Sequence, residues 1–156
     1  MNGPILSIIT VNFNNNLGLL KTLESVSSQS FSSYEHIIID AGSTDGSRET
    51  IIQYEKENPH LSFWSSESDK GIYDGMNKGI DHAKGQYLYF LNSGDCLSQD
   101  ILAKIPFDGT EYLYGDTILF YKRKTKKRVY PDTLDLIYLS DNSLHHQSCF
   151  IHHTLF

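Results

Sequence analysis

Hydrophobic and polar positions fall along this chain in blocks, and the blocks change period at regular intervals. Ile5-Leu6-Ser7-Ile8-Ile9-Thr10-Val11 is an apolar, β-branched run, the pattern of a strand covered on both faces. It breaks at Asn12-Phe13-Asn14-Asn15-Asn16, side chains suited to turns and helix caps. Leu17, Leu19, Leu20, Leu23 and Val26 then recur at helical spacing. His36-Ile37-Ile38-Ile39-Asp40 predicts a second strand. The loop 41–47 offers glycines and capping side chains before a helix that carries Ile51, Ile52 and Tyr54 and ends near Asn58-Pro59. Residues 61–66 predict a third strand, 73–83 a third helix with Tyr73 in the core, and 86–91 a fourth strand.

This β-α-β-α-β-α-β order predicts an α/β fold with a mostly parallel central sheet, right-handed crossovers and helices on both faces. Three of the four strands end in polar residues, at Asn12/Asn14, Asp40 and Asn92/Asp95, and the third leads into Glu67 and Asp69. In such sheets ligands bind beyond the carboxyl ends of the strands, so these residues should converge on one nucleotide-sized site. After Asp95 the texture changes. Residues 99–105 suggest a short helix, 112–116 and 117–121 strands, 129–130 a return strand, 134–139 a short helix or turn, and 148–151 one more strand. The apolar ending Thr154-Leu155-Phe156 reads as a cut within a domain.

With 156 residues, 39% of them hydrophobic and 21% charged, the chain matches one ordinary globular domain. Its formal charge of -6 argues against a nucleic-acid binder that works by general attraction. The basic run Lys122-Arg123-Lys124 to Lys126-Lys127-Arg128 is the exception, and its flanks favour a solvated hairpin tip over a phosphate- or membrane-facing patch. Cys96 and Cys149 form no CxxC and read as reduced, structural thiols. There is neither a signal-peptide pattern nor an apolar run near the ~20 residues a bilayer requires. The expectation is a cytoplasmic protein, with association at the inner face of the membrane left open.

Several chemistries lack their residues. No GxxxxGK[ST] or GxGxxG occurs, which removes the P-loop and the usual dinucleotide fingerprint. No GxSxG elbow supports a serine triad. His145-His146 and His152-His153 match no common zinc spacing. What remains is a sheet edge carrying amides and carboxylates. One Asp there can accept an N–H of a flat heterocycle, and another can hold a hard divalent cation against a diphosphate leaving group. Each residue also has a plain structural use: Asn12 and Asn14 as caps of the first helix, Asp40 and Asp45 as turn residues, and Asp95 as the cap of a following helix.

Four segments in order carry a resemblance: 7–14, 37–47, Lys70-Gly71-Ile72-Tyr73-Asp74-Gly75-Met76-Asn77-Lys78-Gly79, and Phe90-Leu91-Asn92-Ser93-Gly94-Asp95. Over roughly residues 5–96 they resemble the successive motifs of family 2 glycosyltransferases, inverting enzymes of the GT-A fold, in a form similar to the branch found in bacterial surface-polysaccharide clusters. The resemblance implies a sugar transferred from a nucleotide-sugar donor, normally a UDP-sugar, to a hydroxyl of a glycan or lipid-linked glycan. It implies that Thr10, Asn12 and Asn14 line the nucleoside pocket, that Asp40 accepts from the base, and that Asp69, Asn77 and Asn92 lie on the donor side. Asp95 then stands for the last carboxylate of the Asp-x-Asp region, which binds Mn2+ or Mg2+ and the diphosphate. His145, His146 and Gln147 are candidates for the acceptor side.

There are departures. The family commonly has Asp-Asp-Gly-Ser where this chain has Asp40-Ala41-Gly42-Ser43, and Asp-Ala-Asp-Asp where it has Asn92-Ser93-Gly94-Asp95. Met76 replaces a usual Arg. The family domain is usually longer, and Asp116, Asp135 and Asp141 do not fit as its general base. The expectation is therefore one catalytic domain over 1–156, its nucleotide-binding half about 1–96 and its acceptor half from about 97 incomplete, with the base beyond Phe156. The alternative is a non-catalytic nucleotide- or sugar-binding relative that has lost its acids.

Overall fold

The computed structural model describes residues 3–122 and 124–156, so Arg123 of the basic run lies outside the described residues. Strand β1 (Leu6–Asn12), helix α1 (Asn16–Ser27), β2 (Tyr34–Asp40), α2 (Ser47–Glu57), β3 (Leu61–Ser66), α3 (Ile72–His82) and β4 (Tyr87–Phe90) follow the expected order. β5 (Tyr112–Tyr114), β6 (Thr117–Tyr121), β7 (Lys124–Arg128), α4 (Leu136–Asp141) and β8 (Cys149–His152) complete the chain. Six strands form one sheet in the order β3-β2-β1-β4-β8-β5, while β6 and β7 form a separate hairpin. The first four strands in the chain run parallel, and β8 is antiparallel to both β4 and β5.

The continuous apolar runs are explained by cover on both faces. All seven residues of β1 and of β2 are buried. On one face Leu19, Leu23, Ile51 and Tyr54 from α1 and α2 pack on Ile38. On the other, Ile9, Val11, Ile37, Ile39, Leu88 and Phe90 meet Met76 and Ile80 of α3. α3 approaches closely because Gly75 and Gly79, one turn apart, turn bare backbone to the sheet, and both are buried. A methyl at Gly79 would overlap Ile9 Cγ2.

β2 starts two residues before the expected position because its first turn has partners. Glu35 accepts from Ser7 Oγ at 2.7 Å and from the Lys84 N–H at 2.6 Å. His36, wholly buried, lies 2.9 Å from Thr10 Oγ1 through Nε2 and 3.0 Å from the Tyr54 hydroxyl through Nδ1. Asn58 donates to that hydroxyl at 2.7 Å. Both ring nitrogens of His36 thus have a hydroxyl partner inside the core.

Other expectations need correction. The stripe on α1 is narrower than predicted: Leu17 and Leu20 are exposed, and Thr22 is buried in the face instead. Tyr73 is 78% exposed, since it lies on the side of α3 away from Gly75 and Gly79. Only a 3-10 turn, Leu102–Lys104, forms within 99–105. The basic run is more than a hairpin tip, because residues 124–128 are themselves the return strand, with Tyr121 opposite Lys124 and Thr117 opposite Arg128. Val129 and Tyr130 follow that strand. Both cysteines are free, Cys149 buried and Cys96 exposed. No helix among the described residues is long and apolar enough to cross a membrane.

Two outcomes follow from this packing. Gly79→Ala should lower the unfolding free energy by about 1–3 kcal/mol, the usual cost of overfilling a close-packed contact, as read by urea denaturation. The second concerns His36. Burial lowers its pKa from 6.5 to about 3, so the unfolded chain takes up a proton that the folded chain refuses. Stability is then complete above pH 6.5 and declines as pH falls toward 3, by about 1.4 kcal/mol per unit from this group alone. Urea titrations at pH 7 and pH 5 should differ by about 2 kcal/mol, and His36→Gln should flatten that difference.

Candidate functional site

Register brings the strand ends together. Asn12 is opposite Asp40 and Asp40 is opposite Ser66. The chain runs from β1 outward to β3 and returns to β4 on the other side of β1, so the crevice at the carboxyl ends of β1 and β4 is a topological switch point. A cavity of about 510 Å³ opens there, lined among others by Asn12, Ala41, Asp69, Ile72, Asn92 and Ser93.

Asp40 is fully enclosed behind this cavity. Its Oδ1 accepts from Asn12 Nδ2 at 2.7 Å and Ser43 Oγ at 2.5 Å, and its Oδ2 from the Ser43 N–H at 2.9 Å and Ser66 Oγ at 2.6 Å. Burial alone would raise its pKa, but the hydrogen bonds from Ser43, Ser66 and Asn12 win and hold it below the usual carboxylate value. Asn12 spends its amide N–H on Asp40 and on Ser43 Oγ, and its Oδ1 is buried with no donor. Asp69 accepts the Gly71 N–H at 2.8 Å, which fixes the entry to α3.

The helix-cap readings of Asn12 and Asn14 are not what the structure shows. Asn15 caps α1 by accepting from the Gly18 N–H. Asn14, at φ +46°, accepts from the Thr44 N–H at 2.9 Å and ties the two loops together. Asp45 does act at helix starts, accepting from the Asn16 N–H at 2.7 Å and from Ser47 Oγ at 2.6 Å. Thr10 does not reach the cavity, because its hydroxyl is enclosed against His36. Asn77 is exposed on α3, opposite the sheet-facing glycines and apart from the cavity lining.

Asp95 lies on the far side of the Asn92–Asp95 turn, in a second cavity of about 540 Å³ that also includes Thr117, Phe120, His145 and Gln147. Asp95 caps no helix, since the next helical element is the 3-10 turn Leu102–Lys104, and its Oδ2 accepts from Gln147 Nε2 at 3.1 Å. Asn92 Nδ2 is 3.1 Å from His146 Nε2, and Asn92 Oδ1 is buried with no donor. Burial lowers the His146 pKa, and the Asp95 carboxylate opposes that shift. The His-His-Gln segment thus reaches the turn through Asn92 and Asp95. Among the described residues no group of three His, Cys, Asp or Glu side chains gathers in one place.

Thr22 escaped the sequence reading because its pattern signals only helix. Its hydroxyl accepts the Gly94 N–H at 2.9 Å and lies 2.8 Å from the Asp95 carbonyl. Asn15 Nδ2 adds a bond to the Ser93 carbonyl at 3.0 Å. Helix α1 therefore holds the turn by its backbone, and Asp95 inherits its position from that grip.

The sequence model described as Glycosyl transferase family 2 matches residues 7–148. The chain belongs to that family. A glycosyltransferase of Mycobacterium tuberculosis described as uncharacterised is 42% identical over 103 residues, covering 65% of this chain and 38% of the relative. A Bacillus subtilis glycosyltransferase named for teichuronic acid biosynthesis is 37% identical over 101 residues, with 65% and 40% covered. The matched stretch is thus less than half the length of these family members. Among solved structures, the fold is similar to a mannosyltransferase from Pyrobaculum calidifontis in complex with GDP-Man and Mn2+, with a TM-score of 0.59 and 21% identity over 65% of this chain and 31% of that one. Residues 1–349 of TarS from S. aureus, in complex with UDP-GlcNAc, give a TM-score of 0.56 at 21% identity over 64% and 29%. The glycosyltransferase fold of the GT-A type is therefore the fold of this family member.

Thr22→Val would leave the Gly94 N–H and Asp95 carbonyl without their partner. It should cost about 1–3 kcal/mol in urea denaturation, whereas Thr22→Ser, which keeps the hydroxyl, should lose less than half of that.

Proposed function

We propose that this chain supplies the donor-binding part of a glycosyltransferase that moves a sugar from a UDP-sugar to an acceptor hydroxyl with inversion, in the assembly of a cell-surface polysaccharide. The observation that carries the reading is the pair of cavities on either side of the Asn92–Asp95 turn, one bordered by Asn12, Asp69 and Asn92 and the other by Asp95, His145 and Gln147. The nucleoside occupies the first, the acceptor approaches through the second, and the diphosphate lies along the turn between them. The relatives' names and the UDP-GlcNAc and GDP-Man complexes of the structural neighbours support a nucleotide-sugar donor.

A divalent cation, Mn2+ or Mg2+, fits the donor set at the turn. Such ions are commonly held by one or two carboxylates, with substrate phosphates and water filling the remaining positions. Asp95 supplies the carboxylate, and the His146 ring, in contact with Asn92, lies close enough to feel its charge. When bound, the cation offsets negative charge that develops on the leaving diphosphate. The inverting step also needs a general base. Asp116 is occupied by Lys127 and the Tyr130 N–H, Asp135 caps α4 through the Tyr138 N–H, and Asp141 is paired with Ser140. The base is assigned to none of them. The non-acidic residues Ala41, Asn92 and Gly94, where the family commonly has acids, favour the second reading, a binding relative without turnover.

Calorimetry of UDP with and without Mn2+ separates these readings from the start. Mn2+ should tighten UDP binding, and Asp95→Asn should remove that gain, about tenfold or more, equivalent to about 1.4 kcal/mol, while leaving metal-free binding unchanged. UDP binding indifferent to Mn2+, together with no hydrolysis of UDP-sugars, would leave only the binding relative.

A further inference from the structure

The β6–β7 hairpin stands outside the six-stranded sheet and carries a composition unlike the rest of the chain. Residues 122–128 hold six of the chain's 13 Lys and Arg residues and no carboxylate, in a protein of formal charge -6. The partner strand is apolar and uncovered. Phe120 is 80% exposed and Tyr121 60% exposed, and Ile118 is exposed as well. Antiparallel register places Ile118 opposite Lys127 and Phe120 opposite Thr125 on one face, and Tyr121 opposite Lys124 and Leu119 opposite Lys126 on the other, so each face of the hairpin carries apolar or aromatic side chains together with lysine.

The neighbouring helix extends this surface. Arg128 donates to Asn142 Oδ1 at 3.0 Å, which ties β7 to the residue that ends α4. Leu136 and Ile137 on α4 are 86% and 79% exposed. Only Lys127 of the basic strand has an acidic partner, Asp116 at 2.7 Å; Lys124 and Lys126 take part in no salt bridge among the described residues.

We propose that the β6–β7 hairpin is a docking surface for an anionic lipid bilayer. Exposed aromatic and aliphatic side chains enter the interface between headgroups and acyl chains, where a ring with a polar tip is well solvated. The lysines remain at headgroup level on their long stems and meet the negative surface potential. The rest of the chain, net acidic, is repelled by the same potential, so the charge asymmetry also orients the molecule. A polyanion in solution would satisfy the lysines and leave Phe120, Ile118 and Leu136 in water, and a second copy packed through the same hairpin would meet like charge with like.

The consequence for the site is positional. β6 forms one wall of the 540 Å³ cavity that contains Asp95. A hairpin seated on a membrane would open that cavity at the bilayer surface, where an acceptor carried on a lipid presents its hydroxyl. The lipid-binding claim itself is independent of the donor reading, and its test involves no nucleotide.

The experiment is co-sedimentation of this chain with vesicles of phosphatidylcholine alone and with about 30% phosphatidylglycerol. Binding should require the anionic lipid and should fall steeply in about 0.5 M salt, where the screening length drops to a few ångströms. The K124E/K126E double variant should weaken binding by at least about tenfold. Phe120→Ser should weaken it while preserving the preference for anionic vesicles. Circular dichroism checks that both variants fold. Failure of the parent chain to sediment with anionic vesicles overturns the proposal, as does binding that neither variant alters. Loss of a dimer on Phe120→Ser, with vesicle binding unchanged, would instead make this surface a contact between copies.

Discussion

A carboxylate with no exposure to water organises this end of the sheet. Burying an isolated charge is costly, and a buried Asp persists only where donors replace its hydration. Asp40 has four, from β1, β3 and the loop after its own strand. They account for the roughly four lone-pair directions a carboxylate offers. The same serine hydroxyl that donates to Asp40 accepts the Asn14 N–H at 2.8 Å, so the closed network extends into the loop before α1. Three strand ends and two loops are thereby locked in one arrangement. In that arrangement an N–H of a nucleobase reaches Asp40 only by displacing one of its donors. Asn12, which lines the cavity, is oriented by the carboxylate it serves, and its Oδ1 is buried without a donor. Asp40 then shapes the pocket by holding Asn12.

This network accounts for what was legible in the sequence and what was not. The strands of the first half were readable because cover on both faces demands continuous apolar runs, and β1 and β2 obey it at every position. The convergence of Asn12, Asp40, Asp69 and Asn92 was readable because parallel strands must end on one side. Thr10 came from the family resemblance, and in this structure it is not part of the cavity lining. Thr10 shares a face with Asn12 but lies two residues further back along β1, where its hydroxyl is enclosed against His36. Thr22 was missed because a threonine inside a helical stripe has no signature for what its hydroxyl touches 72 residues away. The second half was harder throughout. Its strands have three to five residues, too few for periodicity to show, and β7 consists of residues whose composition says solvent.

The lost acids of the Asn92–Asp95 turn also change meaning. Gly94 has φ +101°, in the region that side-chain-bearing residues disfavour, and its N–H is fixed to Thr22. An aspartate placed at 94 would meet backbone strain of roughly 1–2 kcal/mol, and its Cβ would approach Asn15 Nδ2 at 3.3 Å, the group that holds Ser93. The glycine is therefore part of how this turn closes against α1, and not simply a carboxylate removed. The turn lacks two of the pattern's three acids, at 92 and 94, and has a conformation in which a threonine of α1 fixes its backbone, with Asp95 directed toward Gln147. A site with one carboxylate depends on position more than a site with three, because no neighbouring acid compensates for displacement. The grip of α1 on the backbone is what fixes the position of Asp95, the one carboxylate left in the turn.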